Sequence, residues 1–465
     1  MSTTSNERSS RSLRIYTNHP WKLIKTGYLV VTWIALGFHF ELVGPTMSIL
    51  AENIQVDYSG MGSVLAFRAV GYLIANIFGV ILQNIVKKYS EGLLICAFLL
   101  SAVVVFTTSF ARSLWLIYIL FFAQGISQSC TDLGGMNILL TMWSDKAAAP
   151  LNIIQLGYGI GAIFVNLLVR SFLVEKSSST TTNSLVIPYS ITAGLCILVA
   201  VGHAGFYIQK LRNPREQVEA GQFDYNTLNN NNNNETVREF GSPYSPRTFG
   251  HGDFQYGLTL SILFICYIFF VSGDDQTFSR FFFTYLQSGQ FHLSTSAASW
   301  DVILYWLSYS VGRLFGAILS ILFSVTMCLN IIWFGGLCLA IAWLILVWNV
   351  GLTSTSLLIL GSATGFVFAP LFPLSISLIN QRLNVVPVLL ASVLCGAALG
   401  AIVFQKLAGI IMDKNPKHFP TLLIVCILIS ITLYIISCFI RRRNRPAIPN
   451  GVILTLDTFY EGDAQ

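Results

Sequence analysis

Of 465 residues, 54% are hydrophobic and only 10% are charged, with a net charge of +6 and a mean hydropathy of +0.67. A soluble chain of this length would split into domains with charged surfaces, about 25% charged residues overall. Too few charges are present to cover such surfaces, which excludes a soluble enzyme or scaffold and points to an all-α membrane protein, since lipid leaves no partner for an open sheet edge.

Residues 1–23 read as a cytoplasmic tail. The opening "MSTTSNERSSRSLRIYTNHPWKLIK" is polar and basic, without a short apolar core and cleavage site, so no cleavable signal peptide is expected. Twelve apolar segments follow, each near the roughly 20 residues that cross the hydrocarbon. They lie at about 24–50, 59–84, 92–111, 114–142, 149–173, 187–209, 256–286, 295–322, 326–348, 353–380, 386–411 and 419–440. The reading is of twelve transmembrane helices in two six-helix halves, 24–209 and 256–440, joined by a polar linker at 210–255 and closed by a tail at 441–465.

Polar residues recur inside these spans. In span one, Trp33, Gly37, Glu41 and Pro45 repeat every four residues and share a face. Span two repeats the spacing with Arg68, Tyr72 and Asn76, and span four with Gln124, Gln128 and Asp132, followed by Asn137. Span five carries Gln155, Tyr158 and the small-residue stretch "GYGIGA" at 157–162. Span seven contains "FFVSGDDQTFSRFFFTY" at 269–285. Asp274 and Asp275 stand there in apolar surroundings, although a carboxylate at the bilayer centre costs at least about 2.5–3.5 kcal/mol. Gly273 beside them suits a locally loosened helix. Span eight aligns Trp306, Tyr309 and Arg313; span eleven holds Ser392, Gly396 and Gly400 at close-packing spacing, then Gln405 and Lys406.

A charge inside a span faces the bundle interior or a wet cavity. Glu41, Arg68, Asp132, Asp274, Asp275 and Arg313 are therefore the candidates for ion coupling or gating. Arg68 is expected to pair with Glu41 or Asp132, and Arg313 with Asp274 or Asp275, as structural locks or around a driving cation. Sodium would need oxygen ligands from carboxylates and broken-helix carbonyls, whereas a proton needs only a buried carboxylate; either fits these residue types. Gln124, Gln128, Asn137, Gln155, Tyr158, Trp306, Tyr309 and Lys406 are the candidates for solute binding, with Trp300, Tyr285 and Asn380 as further groups. Aromatic faces with amides and hydroxyls suit a sugar ring. His39 reads as a packed residue.

The linker, with an Asn run and Pro, Gly and Ser, reads as flexible. Its sequon at Asn234 is expected to stay unmodified. Lys and Arg concentrate on the side of the two termini and the linker, ending in "RRRNR" at 441–445, so both termini are expected in the cytoplasm, with the protein in the plasma membrane. These basic patches serve topology, not nucleic acid. The nine cysteines lie in or beside spans without C-x-x-C spacing and read as packing residues. No G-x-x-x-x-G-K-[ST] loop and no H-E-x-x-H pair is present, so neither an ATP-driven pump nor an enzyme is expected. No cofactor is expected beyond sodium as a candidate coupling ion. The partners are a small solute and membrane lipid, with no obligate protein partner.

Four stretches, "TDLGGMNILLTMWSDKAAAP" (131–150), "VSGDDQTFSRFFFTY" (271–285), "YWLSYSVGRLFGAILS" (305–320) and "GFVFAPLFPLSISL" (365–378), resemble the major facilitator superfamily, and within it the animal sodium-dependent glucose transporter branch related to bacterial fucose permeases. The resemblance implies alternating access around a site between the halves, a hexose as solute and sodium as a candidate driver. It assigns family-like positions to Asp132, Asn137, Trp143, Gly273, Asp275, Tyr285, Gly312 and Arg313. Gln83 stands near the place of the superfamily's loop acid, and Gln155 where sugar-carrying relatives would have His. Two alternatives stand beside it. One is a proton-coupled or facilitative carrier of an organic anion or other metabolite, held by Arg313 and Lys406. The other is a non-transporting receptor or scaffold whose linker recruits cytosolic partners.

Overall fold

The computed structural model describes residues 20–143, 147–174, 185–212, 245–250, 252–288, 293–383 and 385–443. Among these, 91% are helical and none is in a strand. Most of the linker with its sequon, both chain ends and the side chain of Gln83 lie outside the described residues. Twelve helices are long and apolar enough to cross a membrane. They are α1 (Pro20–Ile54), α2 (Tyr58–Ile81), α3 (Ser90–Thr108), α4 (Leu114–Trp143), α5 (Ala149–Phe172), α6 (Val186–Gln209), α7 (Phe254–Gln287), α8 (Thr295–Leu322), α9 (Val325–Val350), α10 (Ser354–Arg382), α11 (Val388–Lys414) and α12 (Pro416–Ile440).

Local chemistry sets several starts. Asp57 accepts from Gly60 N at 2.7 Å ahead of α2, and Asp253 from Tyr256 N at 3.1 Å ahead of α7. Ser324 caps α9 only two residues after α8 ends, which makes one of the tight predicted joins a real one. Thr353 and Ser356 form a capping box on α10. Each cap is worth about 1 kcal/mol.

Two spans are broken. The α1 helix turns at Leu42, between Pro20–Glu41 and Val43–Ile54. Pro45 lies four residues beyond Glu41, so its ring excludes that carbonyl and it has no N–H to offer it. The α10 helix is interrupted between Phe368 and Leu371, where Pro370 and Pro373 act in the same way. The α7 helix is not broken. It runs unbroken from Phe254 to Gln287, so the expected loosening at Gly273 does not occur. Gly273 instead serves close approach: a Cβ there would lie 2.7 Å from Gly400 Cα of α11. The spacing of Gly396 and Gly400 likewise seats α11 on the α7 backbone, as Gly157 and Gly161 seat α5 on α1.

The packing repeats with an offset of six helices. In the first half α1 packs on α5, α2 on α4, and α3 on α6; in the second α7 packs on α11, α8 on α10, and α9 on α12. The halves meet along two seams, α2 with α11 and α5 with α8. The second piece of α1 also touches α7, where Thr284 Oγ1 lies 3.8 Å from Met47 Sδ. Large apolar side chains such as Val103, Leu198 and Phe334 face outward, as a lipid-facing surface requires. All nine cysteines are free.

Candidate functional site between the halves

Helices α1, α2, α4 and α5 of the first half and α7, α8, α10 and α11 of the second enclose a shared cavity. The space inside it is about 90 Å³, below the roughly 300–1,000 Å³ common for small-molecule sites, so the two halves stand close around it. Three carboxyls, Glu41, Asp132 and Asp275, and two guanidiniums, Arg280 and Arg313, reach it from both halves.

Each carboxyl is held by a phenol from a neighbouring helix. Tyr158 of α5 donates to Glu41 Oε1 of α1. Tyr72 of α2 donates to Asp132 Oδ2 of α4 at 3.0 Å. Tyr309 of α8 donates to Asp275 Oδ2 of α7 at 3.0 Å, and accepts from Arg313 Nη2 at 2.7 Å. The break in α1 follows directly after Glu41, and Thr46 Oγ1 donates to Leu42 O at 2.6 Å. Trp306 stands between two of the phenols, with ring centroids 5.8 Å from Tyr158 and 5.0 Å from Tyr309. An aromatic wall therefore crosses the boundary of the halves. Gln128, Gln155, Ser272, Gln276 and Ser279 complete the polar lining.

Of the expected solute-binding residues, the cavity gathers Gln128, Gln155, Tyr158, Trp306 and Tyr309. Three others are placed elsewhere. Gln124 accepts from Arg68 Nη1 and donates to His39 O, both at 3.3 Å, and ties helices together behind the cavity. Asn137 donates to Ser90 Oγ at 2.8 Å, joining α4 to the start of α3. Lys406 lies in the α2–α11 seam, where its ammonium donates to Ser63 Oγ at 2.7 Å and to Ser59 Oγ and O at 2.9 and 3.1 Å. It does not line the cavity, so one of the two groups named for holding an organic anion is absent there. Trp300 is largely exposed under the Arg170 guanidinium, Tyr285 packs on Phe419, and Asn380 is exposed.

Of the expected ion-coupling or gating residues, Glu41, Asp132, Asp275 and Arg313 line the cavity. Asp274 does not: one residue along the helix is a turn of about 100°, and its buried carboxyl has Oδ2 without a hydrogen-bond partner. Arg68 lies between the Phe40 and Phe121 rings and lines a smaller space with Tyr72, Gln128, Gln276 and Gln405. The expected direct pairs are not formed. Among the described residues, ion pairs occur only at Glu91, with Lys25 at 3.5 Å and His203 at 2.8 Å. Arg313 reaches Asp275 through Tyr309, and Arg68 reaches no carboxylate directly. His39 is packed, its ring bonded to Ala35 O at 3.1 Å.

Arg280 is a cavity residue that the sequence analysis does not name among its candidates. It is 1% exposed and sits two turns inside α7. Its Nη1 donates to Gln276 O at 2.9 Å and to Gln276 Oε1 at 3.2 Å. With its amide oriented to satisfy both atoms, Gln405 of α11 accepts from Arg280 Nη1 at 2.8 Å and donates to Leu65 O of α2 at 3.0 Å. The signal was in the sequence: Ser272, Gln276 and Arg280 repeat at the spacing of four already used for the other spans.

The arrangement offers a polar, partly charged chamber with an aromatic wall, shared by two bodies that touch along two seams. Comparison with known proteins gives it a frame. The profile described as Major Facilitator Superfamily matches residues 29–384. The chain is 24% identical over 440 residues to sodium-dependent glucose transporter 1 of Danio rerio, covering 88% of this chain and 68% of that protein. It is 24% identical over 419 residues to the Homo sapiens protein of the same name, covering 83% and 73%. Its fold resembles the crystallised E. coli fucose:proton symporter with a TM-score of 0.59 at 16% identity, over 90% of this chain and 99% of that one.

Proposed function

The chain belongs to the Major Facilitator Superfamily, and from that premise we propose that it carries a hexose across the membrane by rocking its two halves about the central cavity. As a superfamily member it is an integral multi-pass transporter of a small solute and no enzyme. The finer reading rests chiefly on one observation: the Tyr158–Trp306–Tyr309 wall spans both halves beside three carboxyls and two guanidiniums. A pyranose ring stacks on an aromatic face, and its hydroxyls both donate to carboxylates and accept from Arg280, Arg313, Gln128 and Gln155. The relatives named for glucose, and a structural neighbour that moves fucose, support a sugar over other polar solutes. Transport is driven by a cation that the cavity carboxyls hold, sodium or a proton. Both termini face the cytoplasm, and the protein sits in the plasma membrane.

Reconstituted proteoliposomes test this. Labelled D-glucose is expected to accumulate under an imposed sodium or proton gradient and not under a potassium gradient. Absence of hexose uptake under every gradient removes the solute assignment. Equal uptake with and without gradients leaves a uniporter.

A further inference from the structure

The three cavity carboxyls share one arrangement, yet only one is continued to a cation. Tyr309 donates to Asp275 and its oxygen accepts from Arg313 Nη2, linking α7 to α8 through a phenol. Arg313 is 3% exposed, lines the cavity, and has Nε and Nη1 without a protein partner. Buried donors of this kind are costly unless an acceptor reaches them. Asp275 is faced by Tyr309, Arg313 and Tyr305 from α8, by Glu41 from α1, and by Arg280 on α7 itself, with Asp274 adjacent.

We propose that Asp275 is the coupling site for a proton, and that Tyr309 transmits its charge state to Arg313, which binds acceptor oxygens of the solute. The inference rests on the sugar-carrier reading above and adds the ion and the linkage. With Asp275 ionised, the phenol donates to a charged acceptor and the guanidinium is drawn toward that pair. A proton on Asp275 neutralises the carboxyl. The guanidinium is then an uncompensated charge whose open N–H groups require acceptors, and solute oxygens supply them. When the solute leaves, Arg313 returns to the phenol and the proton departs from the carboxyl to the side then exposed. Only the O–H bond of the carboxyl forms and breaks. By reciprocity, the proton strengthens solute binding by the factor by which the solute strengthens proton binding.

Sodium fits the same place less well. It needs several oxygens around one point. The α7 helix is unbroken beside Asp275, so its carbonyls are bonded within the helix, and Thr277 Oγ1 adds a bond to Gly273 O at 2.6 Å. Arg280 and Arg313 add like charge nearby.

The test is D-glucose binding to the purified protein, followed by intrinsic tryptophan fluorescence from acid to neutral pH, with and without sodium. Wild-type affinity is expected to weaken as pH rises, by up to about tenfold per pH unit, the limit for one linked proton. Asp275→Asn is expected to bind independently of pH, and Tyr309→Phe with a flattened slope. An Asp275→Asn protein with the wild-type slope overturns the proposal, as does affinity that follows sodium and ignores pH. If Asp275→Asn does not fold, Tyr309→Phe decides: an unaltered slope overturns the proposal. Glucose binding that is flat with pH removes this inference alone. A folded wild-type protein that binds no glucose at any pH removes the sugar reading and the inference together.

Discussion

Single positions differ in what the sequence allowed to be read. Asp274 and Asp275 are equivalent as residue types in an apolar run, and only the rotation of α7 separates them; rotation is fixed by the Gly273–Gly400 contact, which no property of "SGDD" reveals. Lys406 and Arg280 depart from the sequence expectation in opposite senses. Lys406, a candidate for the cavity, lies in the seam, where the Ser59 and Ser63 hydroxyls take its ammonium. Arg280, not among the candidates, lines the cavity, and its spacing from Gln276 places it on a polar stripe. Trp306→Ala should raise the KM for hexose uptake about tenfold, equivalent to about 1.4 kcal/mol of lost aromatic contact, with normal membrane abundance measured alongside. Arg280→Met should abolish coupled uptake while surface labelling remains near wild type, because the cavity loses one of its two cations.

Helices were the most legible level. Twelve apolar segments suffice to place twelve spans, and the short join between α8 and α9 exists because Ser324 caps the second helix within a few residues of the end of the first. The breaks in α1 and α10 follow from Pro45, Pro370 and Pro373, residues visible in the chain but not used for that purpose. Pairing between helices was less accessible, because it depends on which glycines lie opposite a backbone. Gly400→Val should force α7 and α11 apart and destabilise the protein by about 1–3 kcal/mol, seen as a lower melting temperature in detergent. Gly205→Ala, with nothing near its added methyl, should be neutral or slightly stabilising in the same assay.

Across the whole molecule, the two seams are what the proposed rocking must open. At the α1–α2 loop end of the α2–α11 seam, Asp413 accepts from Ser59 N at 2.7 Å and Tyr58 N at 3.2 Å, and Lys406 adds its bonds to Ser59 and Ser63. Hydrogen bonds of this exposed kind are worth about 0.5–1.5 kcal/mol each. Asp413→Asn should therefore shift the population toward separation at that end by roughly two- to tenfold. Spin labels at the exposed Glu52 and Lys414 would report it as a longer distance component. Epitope tags at the two termini should bind antibody only after permeabilisation.

The contact between Gly273 and Gly400 leaves no side-chain cushion between α7 and α11. A tilt of α11 away from α2 is thus handed to α7 with little slack. Under the proposed rocking, the carboxyl of Asp275, half a turn along from that contact, would travel with the wall that parts at Asp413, so loading of the chamber and release of its rim would be geared to one stiff pair of rods.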